Sequence, residues 1–247
     1  MTKLEQVCGG ALPKLVMFDL DGTLVDSLPD LTKAVNKTLQ HLGKNKVSED
    51  KVKVWVGNGA KVLIRRALAG DFNHKNITVD EEEKAHSLFM QFYGEHQQTK
   101  LYPGVLDFLK YLHKNKIKMA IISNKPEQFL VPLLDFLQIT RFFQWIIGGD
   151  TLPQQKPDPT ALHLVLKMGK VAANSALFVG DSVNDVLAAK AAKVPCVAVS
   201  YGYNYGVNIA AENPNLVVDD LRELFPFKAK TKNNLRTKLS QFFKSKI

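Results

Sequence analysis

Phe18-Asp19-Leu20-Asp21-Gly22-Thr23 is the stretch on which the reading of this 247-residue chain turns. It closes the apolar run Leu15 to Leu20 and carries two carboxylates, one residue apart, onto a glycine-containing turn. In an extended chain, residues i and i+2 point the same way, so both carboxylates can face one site. Two carboxylates that close repel each other unless a cation or a shared proton intervenes. The same residues also suit a plain polar turn, where Asp and Gly are common. The rest of the chain has to decide between these readings.

Working outward, five more apolar runs of strand length follow: Ile117 to Ser123, Trp145 to Gly149, Ala176 to Gly180, Val194 to Ser200 and Leu216 to Asp219. Their Val, Ile and Phe content fits buried strands. Helical spacing of apolar residues separates them, as in Val105 to His113, Phe129 to Leu137 and the Ala-rich Ser182 to Ala192. Strand–helix alternation predicts a parallel α/β sheet with helices on both faces. Ligands in such folds sit beyond the carboxyl ends of the strands. The stretch 27–100 breaks the rhythm. It carries helical patterns at Leu28 to Leu42, Ser48 to Val56, Ala60 to Ala69 and Glu81 to Gln98, and no convincing strand. Asp80 with Glu83 three residues on has the spacing of a capping box, and Tyr102-Pro103-Gly104 returns the chain to alternation. The expected organisation is a core from 1–26 and 101–227, an inserted all-helical cap at 27–100, and a basic tail at 228–247.

Three further motifs stand at the ends of expected strands. Ser123-Asn124-Lys125 offers a hydroxyl and an amide, each also an ordinary cap or turn residue. Lys156 sits in a loop whose shape Pro157 and Pro159 restrict. Gly180-Asp181-Ser182-Val183-Asn184-Asp185 places Asp185 one helical turn after Asp181. There Asp181 or Ser182 can simply cap the helix, with Asp185 placing charge at its positive end.

The four motifs in this order resemble the haloacid-dehalogenase superfamily of phosphatases, over the chain up to about Phe225. The resemblance implies a Rossmann-like core with a helical cap and an aspartyl-phosphate mechanism. Asp19 becomes the nucleophile, and Asp21 the general acid and then the base. Ser123, Asn124 and Lys156 become phosphate-binding residues. Mg²⁺ is held by the carboxylates of Asp19 and Asp181 and the backbone carbonyl of Asp21. Thr23, Gly180, Ser182 and Asp185 play supporting parts. Asp21 points to an ester with a poor leaving group, since a departing halide needs no acid. Within the superfamily the chain looks most like the phosphoglycolate phosphatases, through Asp26-Ser27, Trp55-Val56-Gly57-Asn58-Gly59-Ala60, Tyr102-Pro103-Gly104-Val105 and Asn124-Lys125-Pro126. Gly57, Asn58 and Gly59 are the expected cap contact to substrate, with backbone N–H groups at a helix start suited to a small anion. The alternatives are a β-phosphoglucomutase-like phosphomutase, a sugar-phosphate phosphatase, or a non-catalytic phosphoacceptor.

Composition narrows the rest. At 45% hydrophobic and 23% charged residues the chain reads as an ordinary globular protein. No apolar run approaches the roughly 20 residues that cross a bilayer. Cys8 and Cys196 are too few for a disulfide framework or a thiolate metal site, and a reducing cytoplasm is expected. The net charge is +9, but 228–247 holds seven basic residues and no acidic one, which leaves +2 for the other 227 residues. The charge is therefore local, and no nucleic-acid partner is expected. Leu235, Leu239, Phe242 and Phe243 give that tail an amphipathic helical spacing, suited to a membrane or protein surface, to docking on the core, or to a frayed end. His74, His86, His96 and His113 lack metal-ligand spacing. The partner expected is a small phosphorylated metabolite, with monomer and homodimer both open.

Overall fold

The computed structural model describes residues 1–94 and 98–227, and the reading of the basic tail lies outside them. A short helix α1 (Lys3–Val7) precedes β1 (Leu15–Phe18) and β2 (Val25–Asp26). Four helices follow: α2 (Leu28–His41), α3 (Glu49–Trp55), α4 (Gly59–Ala69) and α5 (Val79–Phe92). Next come β3 (Lys100–Leu101), α6 (Val105–Lys114), β4 (Lys118–Ile122), α7 (Leu130–Phe136) and β5 (Trp145–Ile147). The chain continues through α8 (Thr160–Gly169), β6 (Ala176–Gly180), α9 (Val183–Ala191), β7 (Cys196–Val199) and β8 (Leu216–Val218).

The six expected strands form one parallel sheet in the order β5-β4-β1-β6-β7-β8. Most are shorter than their apolar runs. Asp19 and Ser123 fall just past the strands yet extend the ladder, through Asp19 N to Val179 O at 2.9 Å and Ser123 N to Ile147 O at 3.0 Å. These bonds fix where the two side chains start.

The two-residue side-chain period of β1 divides the core. Val16 and Phe18 pack with Phe108 and Leu112 of α6 and Leu130 and Leu133 of α7. Leu15 and Met17 pack on the opposite face with Leu162 and Val165 of α8 and Val186 and Ala189 of α9. Because both faces are buried, the strands read as continuous apolar runs rather than alternating ones. Helices α2 to α5 gather around their own apolar cluster, including Val35, Leu39, Trp55, Ile64 and Phe89.

Two details differ from expectation. The capping box of α5 is Thr78 with Glu81, not Asp80 with Glu83: Thr78 Oγ1 accepts the Glu81 N–H at 3.3 Å and Glu81 Oε2 accepts the Thr78 N–H at 2.9 Å. A hydroxyl with a carboxylate three residues on satisfies two orphan donors, and Asp80 then falls in the first turn. The helix also ends at Phe92 rather than Gln98. Second, β2 and β3 pair antiparallel at the neck of the helical stretch. Two residues each are too short to show a period in sequence.

The neck is tied on both sides. Tyr203 OH accepts the N–H groups of Ser27 and Leu28, both at 3.1 Å, and donates to Asp26 Oδ1 at 3.0 Å. Asp30 of α2 accepts from the N–H of Gln98 at 3.0 Å and from the N–H and hydroxyl of Thr99 at 2.8 and 2.7 Å. No helix among the described residues is long and apolar enough to cross a membrane.

Candidate active site

A cavity lies at the carboxyl ends of β1, β4 and β6, roofed by the helical layer. Core residues Asp19, Asp21, Ser123, Asn124, Lys125, Lys156, Asp181, Ser182 and Asp185 line it, facing Leu31, Val56, Leu63, Phe89 and Tyr93 from above. Its volume is ≈ 60 Å³, on a scale where one water needs roughly 10–15 Å³. The four motifs, up to 166 residues apart in sequence between Asp19 and Asp185, thus share one small space.

Lys156 joins two of them. Its buried Nζ donates to Asp19 Oδ1 at 2.7 Å and to Asp185 Oδ1 at 2.6 Å. Burial works against its charge, but Asp185 and Asp19 outweigh that and raise its pKa. Asp185 is spoken for on its other oxygen too, where Oδ2 accepts the N–H groups of Asp181 and Ser182 at 3.1 and 3.0 Å and the Ser182 hydroxyl at 2.8 Å. Capping and site-building are one arrangement here. Asp181 is oriented by Thr23 Oγ1 on Oδ1 at 2.7 Å and by Tyr203 N on Oδ2 at 2.8 Å.

Asp19, Asp181 and Asp185 each present an oxygen within 4.8 Å of the others. Burial, and then the charges of Asp185 and Asp21, push the Asp19 carboxyl up to about 6 even with Lys156 beside it. Burial with Asp185 and Asp19 likewise raises Asp181 well above the usual carboxylate range. The cluster carries more negative charge than its one ammonium offsets.

Glycines shape its walls. Gly22 has φ +88°, and a Cβ there would overlap the Asp181 carboxylate; one at Gly180 would overlap Asp185. Gly22→Ala therefore combines backbone strain with displacement of Asp181. We expect a loss of ~1–3 kcal/mol, read as a lower urea midpoint.

Asp21 has its own cation. Lys125 Nζ lies 3.0 Å from Oδ1 and 3.1 Å from Oδ2, and the Ser27 hydroxyl donates to Oδ1 at 2.5 Å. Asp19 and Asp21 thus share a cavity but not a counter-ion. Ser123 is buried at its edge, its Oγ accepting the Lys125 N–H at 3.3 Å.

Two expected residues are placed differently. Asn124 lines the cavity, but its Nδ2 donates to the carbonyls of Gly57 at 2.9 Å and Lys156 at 2.8 Å. Both amide hydrogens are used, so its side chain joins the helical layer to the Lys156 loop rather than donating to a phosphate. Gly57 and Gly59 line the cavity; Asn58 does not. The Asn58 Oδ1 accepts from Arg66 and from Tyr205 OH, each at 3.0 Å.

Side chains outside the four motifs surround the site. Tyr201, Tyr203 and Tyr205 follow β7. Tyr201 OH donates to Thr23 O at 2.8 Å, while Tyr205 OH accepts from Asn184 at 2.8 Å. Asn184 also donates to Gly57 O at 3.0 Å. The available signal was tyrosines at alternate positions just beyond a parallel strand, where ligands bind. Lys125 stands in sequence only as the last residue of its motif, and Tyr93 carries no signal.

The comparisons with known proteins agree with this geometry. The family model for haloacid dehalogenase-like hydrolases matches residues 16–199. A phosphoglycolate phosphatase of Pseudomonas fluorescens (strain Pf0-1) is 58% identical over 227 residues, covering 92% of this chain and 84% of that protein. Phosphoglycolate phosphatase 1 of Pseudomonas aeruginosa PAO1 is 57% identical with the same coverage. A crystal structure described as a predicted phosphoglycolate phosphatase, from Haemophilus somnus 129PT, superposes with TM-score 0.79 at 38% identity, covering 84% of this chain and 94% of that one. With the sheet order, the clustered aspartates and these matches in agreement, the chain belongs to the haloacid dehalogenase-like hydrolase family.

Proposed function

We propose that this chain is a Mg²⁺-dependent phosphatase that hydrolyses 2-phosphoglycolate to glycolate and phosphate through an aspartyl-phosphate on Asp19. The observation that carries the reading is the division of labour between two neighbouring carboxylates. Asp19 is held by Lys156 among the metal-binding type of residues, and Asp21 stands apart with a different cation.

The residues fit Mg²⁺, a hard cation that prefers oxygen ligands. Three buried carboxylates converge with one ammonium, so a divalent cation balances the charge. Asp185 is the most crowded of the three, with Lys156 on Oδ1 and three donors on Oδ2, and serves as support, leaving Asp19 and Asp181, with the Asp21 carbonyl, as the ligands. When bound, the ion offsets the repulsion between a phosphate dianion and a carboxylate nucleophile.

Lys156 holds Asp19 Oδ1 and screens incoming phosphate, with Ser123 also lining the cavity. An Asp19 oxygen forms a bond to phosphorus as the ester P–O bond breaks, and Asp21 gives its proton to the departing alkoxide. Asp21, now a carboxylate, then takes a proton from water as that water attacks the phosphoryl group, which frees Asp19 and releases phosphate. Such an acid–base group contributes ~10²–10⁴-fold. The apolar wall of Leu31, Leu63 and Phe89 keeps competing water out.

Residues 27–100 act as a cap that opens about the neck at Asp26 and Thr99 to admit substrate. The small cavity favours a short ester over a sugar phosphate. Two free cysteines suit a reducing cytoplasm.

A proton and the metal compete for Asp19. With its folded value at about 6, the carboxylate form at pH 5 is about one-tenth populated, and Asp181 adds in the same direction. Mg²⁺ affinity by calorimetry is expected to be at least ~10-fold weaker at pH 5 than at pH 7.5. The function itself is tested by a Mg²⁺-dependent phosphate-release screen over metabolite phosphates. We expect 2-phosphoglycolate to have the highest kcat/KM; sugar phosphates ranking above it would remove the substrate assignment, and phosphate passed to a sugar without net release would indicate a mutase.

A further inference from the structure

Lys125 lies two residues beyond Ser123, and its side chain is only 2% exposed. Its ammonium bonds both Asp21 oxygens and donates to the hydroxyl of Tyr93, whose ring centroid is 4.5 Å away. Burying an ammonium costs several kcal/mol before any partner offsets it, so a cation at this depth calls for a reason. Among the described residues lining the cavity, Lys156 and Lys125 are the cations. Lys156 is committed to Asp19 and Asp185, at the end where phosphorus must sit. The facing helical layer offers Leu31, Val56, Ala60, Leu63 and Phe89, all apolar. A second anionic group on the substrate would therefore meet Lys125, in exchange for one of the donors it now gives to Asp21 or Tyr93.

Its position fits one part of the substrate. Asp21 protonates the ester oxygen in the reading above, so a group bonded to the Asp21 carboxylate stands on the leaving-group side. In 2-phosphoglycolate the carboxylate is one methylene from that oxygen. Resting on that reading, we infer that the Lys125 ammonium binds the carboxylate of the leaving group and makes the enzyme selective for small phosphate esters bearing an acid beside the ester carbon. Tyr93, at the C-terminal end of α5, steadies the ammonium from the helical layer. The enclosed, apolar surroundings make the charge-assisted bond stronger than it would be in water.

The test measures kcat/KM of the full-length protein with Mg²⁺ for 2-phosphoglycolate and for ethyl phosphate, which has a methyl group in place of the carboxylate. The parent protein is expected to prefer 2-phosphoglycolate. In Lys125→Met the ratio of the two values is expected to fall ~10–100-fold, with KM for 2-phosphoglycolate rising. Lys125→Arg, which keeps the charge, is expected to retain much of the preference. Should Lys125→Met fail to fold, Lys125→Gln keeps a donor for Asp21 and carries the same comparison. An unchanged ratio, with both rates falling together, would mean that Lys125 only supports Asp21 and would overturn the inference. A parent preference that persists in the variant removes this inference alone; a parent with no preference removes the substrate reading and the inference with it.

Discussion

Asp19→Asn protein is expected to lose turnover on the order of 10⁶-fold, the scale seen when a covalent nucleophile is removed. An amide oxygen is a poor nucleophile and leaves no negative charge for Mg²⁺. The same change is not expected to harm the fold. The folded pKa of Asp19, about 6, lies above its ordinary 3.8. For a carboxyl shifted that way the ionised form is the costly one: the cost is absent below about pH 4, builds as the pH rises through that window, and is complete above about 6. At pH 7.5 the neutral amide removes it, while Lys156 keeps Asp185 as a partner. The metal-free variant should therefore melt no lower than the parent. A dead enzyme that is at least as stable would place Asp19 in the chemistry rather than in the scaffold.

Lys156→Met gives the opposite pairing of effects. It removes the one ammonium between Asp19 and Asp185 and leaves two carboxylates facing each other in a buried site. Breaking a buried pair by removing one member costs ~3–5 kcal/mol, because the remaining charge loses its partner. The deficit should shrink at pH 5, where Asp19, with its folded value at about 6, takes a proton, and should be largest at pH 8. Activity should fall at least ~10²–10³-fold, the scale for losing one donor that stabilises charge in the transition state. Urea denaturation of metal-free protein at the two pH values, beside kcat/KM for 2-phosphoglycolate, reads both effects.

Much of this architecture was legible because its signals are local. A parallel strand buried on both faces must be a short continuous apolar run, and six such runs became the six strands of the sheet. Motif residues could be placed at strand ends because the ladder holds Asp19 and Ser123 one residue past their strands. What sequence did not show depends on contacts made across space. Lys125 looks like any loop lysine until the fold sets Asp21 against it. Tyr203 reads as a turn residue until its hydroxyl is seen tying Ser27, Leu28 and Asp26. The motif suggests Asn124 as a phosphate contact, while its side-chain amide hydrogens go to the carbonyls of Gly57 and Lys156. The α5 cap went to Asp80 because Asp and Glu recur from 80 to 83, and only the bonds pick out Thr78 with Glu81.

The proposed hydrolysis requires a covalent bond between Asp19 and phosphorus. Asp21→Asn protein lacks both the acid for a departing alkoxide and the base that activates water, but an ester whose leaving group needs no proton, p-nitrophenyl phosphate, can still phosphorylate Asp19, so the intermediate should accumulate. That protein, mixed with Mg²⁺ and p-nitrophenyl phosphate, acid-quenched and reduced with borohydride, can be mapped by peptide mass spectrometry. An acyl phosphate on Asp19 would appear as homoserine at position 19. An unmodified Asp19, with phosphate on another residue or on none while the parent turns over normally, would contradict the mechanism.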